Sequence, residues 1–489
     1  MKIVEKIGTE ISLVALPTEK VLIGDYLLIE DEEQKSKLVV QIYDERFLNN
    51  QNIIEEIVRD EIMKSSTEGL DSDPLQINTI STTIQDIKLL KCKIRGSIDN
   101  KRFNINASWI PSRAKSKIKK MSIPDLLILA KKNNDLKIAL GETVDGEVIN
   151  ISAQSIDGQL NIITGKKESG KSHLAKLLAT NLVRYGAYVI IFDLNNEYSG
   201  LVWNKDGSPS INANKTVLLS PCNSLVFSFQ YLGLATMTYL LTHVLEIPGA
   251  SLREFTKMWE TLENQKEISI SSFKNMINNS HCNEFVRDAL FSRFNTLSSS
   301  RLFSDNKSME IENIISQLKN GGLIVVSLGS VSPLYRRMIV EILLSKIVEL
   351  LEKKLIPPVF LLAEEAHLYL SETYWTDIVT RMRHFGIFAT FITNQPNAIG
   401  DEIFRQVDNV FLFNFTNDND LEKIARVAMI DTDTVKSLVR NLPQRTCLAI
   451  GKVVANLPIM VKVSQTETLN LGETRFFFNE TIKSNNPID

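Results

Sequence analysis

Between Leu160 and His173 the chain reads LNIITGKKESGKSH, an apolar run that breaks into the pattern GxxxxGKS. Leu160 to Thr164 suit a buried strand, Gly165 and Gly170 bracket a loop whose amides can face phosphate, and the residues from Ser172 onward have helical character. A nucleoside triphosphate would then sit at a helix N-terminus, where unpaired amides and the helix dipole favour negative charge. Lys171 supplies a positive charge for the β and γ phosphates. The Ser172 hydroxyl is placed to complete the shell of a Mg²⁺ ion, which keeps several waters because it dehydrates reluctantly. The predicted nucleotide contacts are Gly165, Glu168, Ser169, Gly170, Lys171, Ser172 and His173. An ordinary glycine-rich turn is the competing reading, and the strand before the loop and the amphipathic LAKLLATNLV after it weigh against that.

A second group of residues could complete the chemistry. VFLLAEEAH, from Val359 to His367, has the form of a strand ending in two carboxylates, and strand ends of an open α/β sheet border the ligand crevice. Glu364 is assigned to Mg²⁺, through water, and Glu365 to orienting and deprotonating an attacking water. Exposed acids at a helix start would look the same in isolation. Asp193 closes IIFDLNNEY, with Asn196 and Glu197 just beyond it, and is read as a further contact of the nucleotide site or as the cap of a turn. FITNQP ends a later strand at Asn394 and Gln395, whose amides can sense the γ-phosphate by hydrogen bonding. TRMRHFG carries Arg381 and Arg383. A motor with one phosphate site per chain commonly needs a cation from the next subunit to stabilise transition-state charge. Arg383 is the first choice for it and Arg381 the second, a surface salt bridge being the alternative. EEAH resembles the DEAH box of two-motor helicases, but residues 366–489 are too few for a second motor and its linker. One motor per chain is implied.

The elements that must position these residues follow from the hydrophobic pattern. Residues 1–110 read as short alternating strands (EISLVAL, VLIGDYLLIED, KLVVQIYD, IKLLKCKIRGSID, RFNINASWI), which predicts a small β-barrel interrupted by a helical piece near Asn52 to Lys64. Residues 111–135 are a linker and helical segment. Its RAKSKIKK run could touch phosphate but also reads as a solvated linker or helix face. LKIALGETVDGEVINIS is an antiparallel pair that enters an α/β domain of residues 136–465. There LNIIT, AYVIIFD, LIVVSL, VFLLAEE, IFATFIT and VFLFNF are apolar on both faces, as in a doubly wound sheet covered by helices on both sides. A helical insert of about 232–318 interrupts it, its Met and aromatic residues read as core. Residues 466–489 form a tail.

The chain has 489 residues, 44% of them hydrophobic, so two or three well-packed domains are expected. Cys92, Cys222, Cys282 and Cys447 are scattered, without metal-ligand spacing or clustering with the five histidines. A reducing, cytoplasmic setting fits, with no structural zinc. No apolar run approaches a membrane span and MKIVEKIGTE lacks a signal-peptide core, so no membrane association is expected. A net charge of −3 gives no general affinity for nucleic acid, so any DNA contact must be concentrated on a local surface such as a channel lining.

Taken in order, the β-rich start, GKKESGKSH, IIFDLNNEYSG, the helical insert, VSLGSVSPLYRRMIVEILLSKI, LLAEEAH, RMRHFGIFATFITNQPNAIGDEIFRQVDNVFLFNFTNDND and CLAIGKVV together resemble the HerA family of hexameric DNA translocases, relatives of FtsK. The resemblance covers nearly the whole chain. It implies a RecA-like P-loop domain, a homohexamer with double-stranded DNA in its central pore, and ATP with Mg²⁺ bound between neighbours. It implies the same roles for Lys171, Ser172, Glu364, Glu365, Asp193, Gln395 and Arg383 as above. Two departures are visible. Lys167, Glu168 and Ser169 stand where the family loop is usually TGSGKS, which brings an acid near the phosphates, and Gln159 stands where relatives often carry arginine. The family also implies an effector in trans: a NurA-like nuclease in DNA end resection, or a nuclease or sirtuin-type effector in defence against phage. Two functions follow as expectations, an ATP-driven translocase or helicase and a nucleotide-dependent ring scaffold that activates an effector.

Overall fold

The computed structural model describes residues 1–31, 37–48, 86–105, 107, 109–130, 136–368, 374–440, 442–469 and 471. The helical piece expected at Asn52 to Lys64 and most of the tail lie outside the described residues. The chain groups into two compact units: Met1–Ser152 with Asn409–Ser464, and Ala153–Asp408 with the segment that starts at Gln465.

In the first unit, β1 (Lys2–Ile7), β2 (Glu10–Ala15), β3 (Tyr26–Asp31), β4 (Lys37–Phe47), β5 (Lys88–Asp99), β6 (Arg102–Asn104) and β7 (Ser116–Met121) form one antiparallel sheet. Its order is β1-β2-β5-β4-β3-β7, with β6 on β5, a half-barrel that ends at β1 and β7. Period-two alternation builds its core: Ile11, Leu13 and Ala15 of β2 meet Leu38, Val40 and Ile42 of β4 and Leu90 and Cys92 of β5. One expectation is corrected here. From Ser116 the basic run is strand β7, paired with β3, rather than a linker or helix face. Ile118 packs on the core, while Lys119 and Lys120 pair with Glu30 and with Asp25 and Asp145. Charge alternating with apolar residues is a strand signal that the density of lysines concealed. Helix α1 (Ile123–Ala130) and the antiparallel hairpin β8 (Lys137–Glu142) and β9 (Val148–Ser152) follow, the last as expected.

The second unit alternates strand and helix: β10 (Asn161–Thr164), α2 (Lys171–Arg184), β11 (Tyr188–Asp193), β12 (Thr216–Leu219), then the helical insert, β13 (Gly322–Ser327) and β14 (Val359–Glu364), and finally β15 (Ile387–Thr393). These six strands form a parallel sheet in the order β12-β13-β11-β14-β15-β10. Nearly every residue of β10, β11, β13 and β14 is buried, as strands covered on both faces require. Strand β12 was not anticipated, because a run of four residues carries no readable period. The insert comprises α3 (Phe229–Tyr239), a π-helical turn at Leu240–Val244, α4 (Gly249–Gln265), α5 (Ile270–Asn278), α6 (Glu284–Ser299) and α7 (Ile311–Gln317). Its aromatic residues are core, as read from the sequence: Phe229, Phe255, Trp259, Phe273 and Phe294 pack ring on ring with centroids 5.3–6.1 Å apart. Helices α8 (Pro333–Glu352) and α9 (Tyr374–Phe385) precede β14 and β15.

The chain then passes through α10 (Asp401–Phe404) to the first unit again, with β16 (Asn409–Phe413), α11 (Asp418–Val427), α12 (Thr432–Val439), β17 (Thr446–Gly451) and β18 (Ile459–Val463). Here β16, β17, β18, β8 and β9 lie side by side, and every pair is antiparallel. The region read as 136–465 thus contributes to both units. Among the described residues no helix is long and apolar enough to cross a membrane.

Candidate nucleotide site

Parallel strands bring their C-terminal ends to one edge of the sheet, and chain reversal there creates the crevice. Thr164 at the end of β10 is level with Thr393 of β15, and Glu364 of β14 is level with Ile392. Strand β14 also lies beside β11, which ends at Asp193. Residues far apart in sequence therefore share one edge: the loop after β10, Asp193, the acidic pair and Thr393 to Gln395.

The loop has the conformation its glycines allow. Gly165 has φ +153° and Gly170 φ +117°, and Gly170 precedes α2 without a side-chain cap. The first amides of α2 are thus left for an anionic ligand. Lys171 is buried, and its Nζ donates to the carbonyls of Gly165 at 3.0 Å and Lys166 at 2.6 Å. Burial lowers its pKa, opposed by the nearby carboxylates of Glu365, Glu364 and Glu197. Ser169 is buried and donates its hydroxyl to the Lys166 carbonyl at 2.8 Å. Glu168 is exposed at φ +62°, so the acid that departs from the family loop stands at the surface of the loop. His173 is buried in the first turn of α2.

Ser172 Oγ donates to Glu364 Oε1 at 3.2 Å, joining the loop to the acidic strand end. Glu364 is buried, and burial followed by the charges of Glu197 and Asp193 holds its pKa well above the usual carboxylate range. Asp193 is also buried and accepts the amides of Glu197 and Tyr198, each at 3.0 Å. It therefore caps the turn after β11, the second of the two readings made of it. By doing so it sets Glu197 near Lys176 and Ser172, which oppose the rise that burial gives its pKa. Glu197 was noted in the sequence only as a neighbour of Asp193. Nothing local could have assigned it, since its partners stand on α2. The same holds for Lys176, a buried lysine with Nζ 3.9 Å from Glu197, 5.7 Å from the centre of the Tyr198 ring and 3.3 Å from the Leu471 carbonyl. It offsets part of the acidic charge.

These groups form a set of hard oxygen donors, one hydroxyl and a buried carboxylate, beside an amide-lined loop. That chemistry fits Mg²⁺ held by Ser172 and Glu364, with Asp193 and Glu197 in support. Burial raises the pKa of all three carboxylates, and like charge adds to the rise at Glu364 and Glu197.

Glu365 follows the strand at φ +46°, a left-handed conformation uncommon for a residue with a side chain. Among the described residues its Oε2 accepts no hydrogen bond, and it lies 3.5 Å from His367 Nδ1, which is 3.0 Å from Thr393 Oγ1. Thr393 Oγ1 also accepts the Gln395 amide at 3.0 Å, and the buried Oδ1 of Asn394 has no hydrogen-bond partner among the described residues. Both arginines stand elsewhere. They lie near the end of α9, before β15 begins, at the opposite edge of the sheet from the loop. Arg381 lies over the Phe385 ring, 4.6 Å from its centre. Arg383 Nη2 donates to Asp408 Oδ2 at 2.6 Å, and the same oxygen accepts the Leu160 amide at 3.0 Å. Strand β15 spans roughly 20 Å at ~3.3 Å per residue, so neither arginine reaches the loop of its own chain.

Residues 163–347 match the family described as helicase HerA, central domain. The DNA double-strand break repair helicase HerA of Saccharolobus solfataricus is 23% identical over 372 residues, which are 70% of this chain and 71% of that protein. Among solved structures, VirB4 of Thermoanaerobacter pseudethanolicus aligns with a TM-score of 0.53 at 16% identity, covering 69% of this chain and 98% of its own. The plasmid coupling protein TrwB in complex with ADP and Mg²⁺ aligns with a TM-score of 0.50 at 14% identity, covering 72% and 94%. These two likenesses establish the RecA-like P-loop fold.

Proposed function

We propose that this chain, whose residues 163–347 match the central domain of the HerA family, hydrolyses ATP to drive double-stranded DNA through a ring of its own copies. The observation that carries the reading is the union at one sheet edge of an uncapped glycine loop, Lys171, Ser172 hydrogen-bonded to Glu364, and Glu365. In the ATP-bound state Lys171 exchanges its two loop carbonyls for phosphate oxygens, a stronger, charge-assisted pairing. Bound Mg²⁺ would supply charge neutralisation on the phosphates from Ser172 and Glu364. Glu365 accepts a proton from a water whose oxygen attacks the γ-phosphorus, while the bond from that phosphorus to the bridging oxygen breaks and ADP leaves. Gln395 senses the γ-phosphate.

Arg383 faces away from its own loop, which supports delivery of the transition-state cation to the neighbouring copy. A homohexamer with DNA in its pore supplies that neighbour. The effector proposed to work with this ring is a nuclease or sirtuin-type enzyme, in end processing or in defence.

The test is ATP turnover with and without long duplex DNA. Strong stimulation by duplex is expected, and stimulation only by an effector protein would favour the ring-scaffold function instead. Lys171→Ala is expected to lose nucleotide binding, and Glu365→Gln to bind ATP without hydrolysing it. Normal turnover by Glu365→Gln would remove Glu365 from the role of base.

A further inference from the structure

The acidic pair explains Glu364 and Glu365 but leaves two polar groups at this edge unused, the imidazole of His367 and the hydroxyl of Thr393. Both are enclosed. Thr393 is fully buried and the His367 side chain is 7% exposed. His367 belongs to a short 3₁₀ turn, Ala366–Leu368, which is tied back by the Leu368 amide on the Glu365 carbonyl at 2.9 Å. Thr393 ends the neighbouring strand. Chain connectivity therefore sets His367 close to Glu365, and only sheet pairing sets Thr393 close to His367.

A carboxylate is acceptor-only, so an imidazole nitrogen 3.5 Å from Glu365 Oε2 and 3.0 Å from a hydroxyl oxygen is favoured with its proton at that nitrogen. The N–H then donates to Thr393 Oγ1, which fixes the ring's rotation and leaves the edge of the ring 3.5 Å from the Glu365 carboxylate, a polar contact rather than a hydrogen bond. This matters because Glu365 has few other constraints: among the described residues its Oε2 accepts no hydrogen bond, and its backbone sits at φ +46°. A base that must aim at one water loses rate steeply when its carboxylate wanders. Thr393 Oγ1 also accepts the amide of Gln395, so the loop that faces the γ-phosphate and the carboxylate that faces the water hang on one hydroxyl.

We infer that His367 and Thr393 are positioning residues that hold Glu365 for catalysis and link its aim to the Asn394–Gln395 loop. The inference rests on Glu365 being the base. Because the two residues act as one unit, their removal is expected to be non-additive.

The experiment uses the full chain with saturating duplex DNA and measures kcat, KM for ATP, and the affinity for a fluorescent non-hydrolysable ATP analogue. Thr393→Val, which removes the hydroxyl with little change of shape, and His367→Ala are each expected to lower kcat about tenfold, about 1.4 kcal/mol of barrier. KM and analogue affinity should stay within about twofold of the parent, a separation that general loss of structure would not produce. The double variant should be no slower than the slower single one. His367→Asn, whose amide nitrogen can occupy the place of Nδ1, should recover part of the loss. Parental kcat in both single variants, multiplied losses in the double, or an equal fall in analogue affinity would overturn the inference. Glu365→Gln, measured alongside, separates the two failures. If it keeps turnover, the base is misassigned. If it stops turnover while His367→Ala and Thr393→Val do not slow it, the positioning role alone fails.

Discussion

At the scale of single residues, the site depends on backbone conformations that only certain side chains tolerate. Gly170 stands at φ +117° and ψ 9°, immediately before the helix whose amides face the loop. A Cβ in the left-handed region costs about 1–2 kcal/mol, and relieving that cost would rotate the amides away from the phosphate positions. Gly170→Ala is therefore expected to weaken ATP binding at least about tenfold, since 1.4 kcal/mol is tenfold in affinity. Titration calorimetry with the non-hydrolysable analogue checks this, and a circular dichroism melt close to the parent's shows that the fold is kept. Unchanged affinity would mean the loop rearranges freely at that residue. Glu168 and Glu365 also have positive φ without being glycine, and Glu365 is where such a cost has a use.

At the scale of elements, α8 shows how a helix can be almost wholly buried and still carry charge. Ser332 caps it through the Tyr335 amide and Pro333 begins it, as helix starts favour. Its flanks bury Met338, Ile339, Val340, Ile342, Leu343 and Leu344, and also Glu341 and Lys346. Lys346 is provided for, donating to the Tyr231 carbonyl at 2.7 Å and to Glu349 at 2.9 Å. Glu341 is not. Its Oε2 has no hydrogen-bond partner among the described residues, and burial pushes its pKa up to about 7, with Arg337 one turn earlier pulling the other way. The sign follows from linkage. A carboxyl whose folded pKa exceeds its unfolded value binds more protons when folded, so its contribution to stability is present at low pH and is lost as pH rises through about 7. Glu341→Gln should therefore melt higher than the parent at pH 8 and close to it at pH 5. Equal melting temperatures at both values would show that the folded site accepts the charge.

At the scale of the whole molecule, the question is what completes the nucleotide site. Arg383 lies at the sheet edge away from its own loop, bound to Asp408, so it brings no charge to the loop of its own copy. If Arg383 serves the adjacent copy, two inactive variants should rescue each other. Mixing Lys171→Ala with Arg383→Ala under conditions that exchange subunits places an intact loop beside an intact arginine. Recovery of ATP turnover above that of either variant alone is expected. No recovery, with exchange verified by mass measurement of the mixed particles, would leave Arg383 as the structural partner of Asp408.

What the sequence determined by itself was whatever depends on near neighbours. The glycine loop with Lys171 and Ser172, the doubly apolar strands β10, β11, β13, β14 and β15, the aromatic core of the insert and the acidic pair after β14 all declare themselves within a dozen residues. A strand or helix start is a local consequence of side-chain period and backbone freedom. Short or charged strands escaped the same test, β12 for want of length and β7 because its lysines concealed an alternating face. Tertiary structure alone decided which polar groups meet. Glu197 comes within 3.9 Å of Lys176 only because α2 packs on β11, Thr393 reaches His367 only because β14 and β15 are parallel neighbours, and Arg383 finds Asp408 only where β15 and β10 begin. Contacts made across strands depend on sheet order, and sheet order is a property of the folded chain that no stretch of residues encodes on its own.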